Sequence, residues 1–150
     1  MKLLNAAEIS VFAKPEEDVD AIKRALLALV PFNLASEKLK LEEATALGFS
    51  ERKIKIFKLT LKKEKHTSLL LKHLLANLNV SQKKTLLEQA ETRLDENLDF
   101  FIRFDKFSLL NNVFELTDSG SCFHIKLLVA AFPRHRDAAL AVVKKIFKAE

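Results

Sequence analysis

The sequence has no tryptophan and no tyrosine, a single cysteine, two glycines and three prolines. Each scarcity excludes something. With Cys122 alone, neither an internal disulfide framework nor a zinc cluster built from several cysteines can form. Gly48 and Gly120 are too few for a Walker loop or a GxGxxG fingerprint, both of which need glycine where backbone approaches phosphate. Without tryptophan or tyrosine, any stacking platform for single-stranded nucleic acid would be thin. Long apolar runs are missing as well. The longest, around Ile125 to Phe132, is interrupted by Lys126 and falls well short of the ~20 residues that span a bilayer. The start, "MKLLNAAEISVFAK", lacks the continuous apolar stretch of a signal peptide and leads into a strand pattern. The expectation is an intact cytoplasmic start and no membrane partner.

What is present describes a folded domain. The 150 residues are 49% hydrophobic and 30% charged, which is globular rather than disordered. No repeat, low-complexity segment or linker divides them, so a single domain over residues 1–150 is expected. Lys and Arg number 25 against 20 Asp and Glu, a balance that mildly favours an anionic partner such as nucleic acid.

Periodicity supplies the elements. Residues 6–13 alternate as a strand, with Ile9 and Val11 on one side. "KPEEDVDAIKRALLALVP" then reads as a helix: its acidic first turn suits the dipole, Val19, Ile22, Leu26, Leu29 and Val30 keep helical spacing, and Pro31 ends it. Two strands follow, "KLKLEEATAL" and "KIKIFKLTLKK". In the second, the apolar phase slips between Ile56 and Phe57, which a β-bulge would explain. Residues 66–94 read as a helical hairpin. Leu70, Leu71, Leu74, Leu75 and Leu78 form one stripe and Leu87, Ala90 and Leu94 a thinner one, with Asn79 closing the first helix and Ser81 capping the second. Strands at 98–105, about 112–117 and 122–132 come next, the last two joined by the "DSGS" turn. Pro133 opens a final helix with Ala139, Val143, Ile146 and Phe147 on one face. The order β-α-β-β-α-α-β-β-β-α predicts an α+β fold of two layers, with helices packed on one face of a mainly antiparallel sheet.

Alternation then assigns the sheet faces. Phe100, Ile102 and Phe104, with Phe123, Ile125, Leu127, Val129 and Ala131, are uniformly apolar and predict the core. The other side carries Asp99, Phe101, Arg103 and Asp105, then Cys122, His124, Lys126 and Leu128. Lys53, Lys55, Lys58 and Lys62 join it according to where the bulge falls. A phenylalanine and a histidine among basic side chains resemble surfaces that hold RNA, while a merely solvated face, or one covered by a second subunit, fits the same composition.

Catalytic and metal patterns are weak. Cys122 and His124 share a strand side, but no third group orients the imidazole, so a structural thiol is the better reading. His66 and His73 are two helical turns apart, beyond the i, i+4 spacing of a metal pair. The carboxylates at Glu16, Glu17 and Asp18 suit a helix start, those at Asp95, Glu96 and Asp99 a loop. Asp105 is placed to cap a helical turn. Residues 73–89 superficially resemble a helix-turn-helix, yet Thr85 and Glu88 stand where burial is needed and Glu88 and Glu91 follow the lysines. No cofactor is expected.

"DFFIRFDKFSLLNNVFELTDSGSCFHIKLLVAAFP", followed by a basic helix, resembles a small archaeal family of RNA-binding proteins proposed as exosome-related, with a fold like ribosomal protein L5. The matching residues are Arg103-Phe104-Asp105-Lys106, the Leu116-Thr117-Asp118 turn and the strand running into Ala130, Ala131 and Pro133. "AEISVFAKPEEDVDAIKRALLALVP" fits the family's first strand, acidic turn and helix. One turn departs: where the family is rich in glycine and asparagine, only Gly48 is in place, followed by Phe49, Ser50, Glu51 and Arg52. Together with the open-face composition, the resemblance implies a non-enzymatic RNA-binding protein, an accessory of RNA processing that recognises structured rather than single-stranded RNA. Arg103, Lys106, Lys126, Lys53, Lys55, Lys58, Lys62, Arg134 and Arg136 would meet phosphate, and Phe101 and His124 would offer stacking. The competing expectation is a protein-interaction or homodimerisation module, inside a larger assembly or not, that uses this face or an edge strand.

Overall fold

A computed structural model describes residues 2–48 and 52–148. In chain order the elements are β1 (Leu4–Ala13), α1 (Val19–Ala28), β2 (Glu42–Leu47), β3 (Lys53–Leu61), α2 (Glu64–Asn77), α3 (Val80–Glu88), α4 (Ala90–Arg93), β4 (Asp99–Asp105), α5 (Lys106–Leu110), β5 (Cys122–Val129) and α6 (Arg136–Ile146). The fold is α+β: one five-stranded antiparallel sheet in the order β2-β3-β1-β5-β4, with six helices among the described residues. Contacts divide the chain into two compact units, Met1–Ala7, Leu61–Ile102 and Lys126–Glu150, and Glu8–Thr60 with Arg103–Ile125. β1, β3, β4 and β5 contribute to both.

The first unit is built on leucine and phenylalanine. On α2, Leu70, Leu71, Leu74 and the capping Leu78 are buried, as their spacing predicts, while Leu75 of the same predicted stripe is half-buried. The next stripe shifts by one residue: Leu86 rather than Leu87 is buried, with Ala90 and Leu94. The cause is a break at Gln89, where φ −99° and ψ 12° end α3 and start α4. Asn79 is the N-cap of α3 rather than the end of α2. Its side chain accepts from the Gln82 amide (2.8 Å) while the Gln82 side chain accepts from the Asn79 amide (2.9 Å), a reciprocal capping box. α6 buries Ala139, Val143, Ile146 and Phe147, and the Phe147 ring meets Phe100 at 5.3 Å between centroids. His135, not Pro133, caps α6 by accepting from the Ala138 amide. β5 ends at Val129, so Ala131 lies past the strand and is only half-buried.

In the second unit, Asp18 caps α1 by accepting from the Ala21 amide (3.1 Å), and Ile22 and Leu26 are fully buried. The β2–β3 ladder runs unbroken from Glu42↔Lys58 to Leu47↔Lys53, so no bulge corrects the phase slip. Phe57, Leu59 and Leu61 are buried, whereas Ile54 and Ile56 point to the other side and are half-buried. The slip marks where β3 leaves the core, and all six β2 residues are exposed. The Gly48 amide donates to the Arg52 carbonyl (2.6 Å) across the hairpin end, while Phe49, Ser50 and Glu51 lie outside the described residues.

The predicted strand at 112–117 does not form. Asp105 caps α5, its carboxylate accepting from the Ser108 amide and hydroxyl (both 2.9 Å), and Asn112 at φ 62° turns the chain back. Residues 115–117 then touch β4 only through one isolated bridge, Phe104↔Leu116, flanked by the Asp105 amide donating to Glu115 and the Thr117 amide donating to Arg103. Phe114 packs edge-on against Phe104 at 5.2 Å. The sheet of the described residues therefore has five strands, not six.

Candidate functional site

On the polar side of the second unit, β1 alternates so that Ile9, Val11 and Ala13 are buried while Glu8, Ser10 and Phe12 point away. Phe12 stands 56% exposed. β5 alternates likewise, with Phe123 and Ile125 buried and His124 half-exposed between them. Arg103 reaches the same surface from β4, its guanidinium 3.5 Å from the Asp118 carbonyl. Ser10, Phe12, Arg103, Gly120, Cys122 and His124 enclose a pocket of about 280 Å³. Beside it, the Lys58 ammonium lies 4.0 Å from Glu8.

Lys106 does not reach this surface. It is 5% exposed, and its ammonium donates to the Phe12 carbonyl (2.7 Å) and to both Glu17 carboxylate oxygens (3.1 and 3.2 Å). Burial works against a charged Glu17, but the Lys14 amide and the Lys106 ammonium outweigh it and hold the carboxyl below its usual range. Lys106 thus clamps the end of β1, which carries Phe12, to the turn before α1. On the hairpin, the continuous register places Lys53 and Lys55 on the side of Phe57, opposite Lys58. Lys62 follows β3 and is exposed.

In the first unit, Lys126 lies 3.8 Å from the buried carboxylate of Asp99. Phe101 is half-buried, and its carbonyl accepts from Arg93 (3.1 Å). The Arg136 guanidinium donates to the carbonyls of Leu94 (2.9 Å) and Glu91, capping the end of α4 with groups that phosphate would need. Arg134 is exposed.

Burial pushes the Cys122 thiol up, against smaller opposing pulls from Arg103 and Lys106, so it is less of a thiolate than an ordinary cysteine. Among the described residues, no three His, Cys, Asp or Glu side chains are grouped to hold a metal, and no helix is long and apolar enough to cross a membrane.

A family model described as "RNA binding" matches residues 6–129. The chain belongs to that family. Its matched span includes Phe12, Arg103, Lys106 and His124, and stops short of Arg134 and Arg136. The chain is also 25% identical over 142 residues to the RNA-binding protein PAB1135 of Pyrococcus abyssi, covering 95% of this chain and 92% of that protein. Two solved archaeal structures share the fold, each described as DUF54 and each 22% identical. Protein AF2318 of Archaeoglobus fulgidus matches at a TM-score of 0.85, covering 95% of this chain and 99% of its own. Mth689 of Methanothermobacter thermautotrophicus matches at 0.77, covering 97% and 98%.

The sequence reading passed over Phe12 and Gly120. For Phe12 the signal was present: in "EISVFA" it is out of phase with Ile9 and Val11, the two residues that mark the buried side. Gly120 joins Phe12 only through the turn before β5, which no periodicity reports.

Proposed function

We propose that this family member is a non-enzymatic RNA-binding protein that holds structured RNA through the polar side of its sheet, as an accessory of RNA processing such as the exosome. Membership of the RNA-binding family over residues 6–129 carries the reading. The side-chain chemistry supports it. In the second unit Arg103, Lys58 and His124 alternate with buried residues along their strands and Phe12 is exposed; in the first, Lys126 and Phe101 alternate with buried residues likewise. Lys53, Lys55, Lys62 and Arg134 are exposed and add positive charge elsewhere on the surface. Lys106 and Arg136 hold their own chain and act by positioning. With no tryptophan or tyrosine, contacts to phosphate and 2′-hydroxyl suit this surface better than a stacked single strand. The likeness to ribosomal protein L5 and cytoplasmic residence belong to the same proposal.

The experiment is fluorescence anisotropy with a labelled RNA hairpin and a labelled single strand at low and moderate salt, beside an Arg103→Ala/Lys126→Ala double variant. Hairpin binding that weakens with salt and is lost in the double variant is the expected result. Absence of binding at low salt would overturn it. One feature favours a protein partner instead: β2 is an edge strand exposed at all six positions. Pairing there would persist at high salt, where phosphate contacts fail.

A further inference from the structure

We propose that the pocket beneath Phe12 receives one unstacked nucleotide of the bound RNA, a bulged or looped base extruded from an otherwise paired stem. This inference rests on RNA binding by the same surface. It explains a combination that phosphate contacts alone leave unexplained: an aromatic ring and a concavity at a place where the sheet could have been flat and polar.

Phe12 is 56% exposed at a pocket of about 280 Å³ that Ser10, Val11, Arg103, Gly120, Cys122 and His124 line with it. Phosphate alone would gain nothing from the phenylalanine. A base gains a stacking partner, and Ser10 and His124 bring hydrogen-bonding atoms to its edge. Arg103 stands at the same pocket with a planar, permanently charged group, able to stack on the base or to bond the phosphate beside it. The ring is also held in place from behind. The Phe12 carbonyl accepts from a buried ammonium, so the backbone that presents the ring is fixed before RNA arrives. One aromatic side chain at one pocket matches one base, whereas a single-stranded run would need a row of them. Gly120 lines the pocket, a Cβ there would meet nothing within 4 Å, and the glycine has no positive φ. A larger side chain at Gly120 is therefore compatible with the turn and crowds the pocket's lining.

The test uses two RNA hairpins of equal stem length, one fully paired and one with a single bulged adenosine, titrated by anisotropy. The proteins are wild type, Phe12→Ala, Gly120→Leu and Phe12→Trp, each checked for folding by circular dichroism. Base–aromatic stacking of ~1–3 kcal/mol corresponds to roughly 5- to 150-fold in affinity. The wild type is expected to prefer the bulged hairpin by a factor in that range. Phe12→Ala and Gly120→Leu should lose the preference, the bulged hairpin falling to the affinity of the paired one. Because the chain has no tryptophan, Phe12→Trp introduces a single reporter, which the bulged hairpin should quench and the paired one should not. Equal binding of both hairpins by wild type, or an equal loss for both in Phe12→Ala, overturns the pocket and leaves RNA binding standing. Binding of neither hairpin overturns both.

Discussion

The Lys106 ammonium lies 2.7 Å from the carbonyl oxygen of Phe12, so a buried charge fixes the backbone that displays an exposed ring. The same ammonium spans both oxygens of Glu17, and the Lys106 amide donates to the Ser121 carbonyl (3.2 Å). One residue thereby joins the end of β1, the turn before α1 and the approach to β5. A lysine at 5% exposure is tolerated because each partner satisfies it.

Lys106→Met keeps most of the side-chain volume and removes the charge. Glu17 then loses its counter-ion and the Phe12 carbonyl its donor. Breaking a buried pair from one side costs about 3–5 kcal/mol, less where one partner reaches solvent, and the Glu17 side chain retains 26% exposure. A loss of about 2–3 kcal/mol is expected. Urea unfolding should show a lower midpoint at unchanged m-value. An unmoved midpoint would remove Lys106 from the framework of the site.

The same pair sets a pH dependence. The folded Glu17 carboxyl titrates below its ordinary value of 4.5, since its bonds to the Lys14 amide and Lys106 outweigh the effect of burial. A carboxyl depressed on folding contributes stability that is present in full above the unfolded pKa and is lost as pH falls through the folded one. Wild type should therefore melt above Glu17→Gln at neutral pH, and the gap should close as the pH drops below the ordinary carboxylate range. A gap that persists unchanged into acid would mean the effect is not ionic.

Much of this architecture is legible in the sequence where burial is periodic. The stripes on α1 and α6 and the alternation of β4 and β5 place Ile22, Leu26, Val143, Phe147, Phe100, Ile102, Phe123 and Ile125 correctly, because each element buries one side and the pattern follows. Asp105 is equally readable, since a carboxylate just before "KFSLL" has a local use. What fails is whatever depends on distant partners. The phase slip in β3 reads as a bulge because nothing in the sequence says that the core ends at Phe57. "NNVFELT" reads as a strand because its alternation is real, yet it meets β4 through one bridge. Lys106 reads as a phosphate ligand because its partners, Phe12 and Glu17, lie some 90 residues away along the chain (separations of 94 and 89).

The capping box gives Asn79 the role that the sequence assigns to Ser81, the cap of the second helix. Asn79→Ala removes the side-chain acceptor for the Gln82 amide and keeps the backbone amide that donates to the Gln82 side chain, at a cost of about 1 kcal/mol. Ser81, by contrast, enters through its backbone carbonyl, which accepts from the Thr85 hydroxyl. Ser81→Ala should stay within about 0.5 kcal/mol of wild type. Thermal unfolding of the two variants under one buffer decides the assignment, and a larger loss for Ser81→Ala would reverse it.

Salt dependence can distinguish a residue that touches RNA from one that positions another. Each phosphate neutralised on a duplex contributes about 0.9 to the slope of log affinity against log salt concentration. Arg103 is exposed, so Arg103→Ala should weaken hairpin binding and reduce the slope by about one. Lys106 is buried against its own chain, so Lys106→Met should lower affinity for the bulged hairpin, through a looser Phe12, at an unchanged slope. Loss of slope in Lys106→Met would mean that its ammonium leaves Glu17 for phosphate when RNA binds, and the buried clamp would then be a feature of the free protein alone.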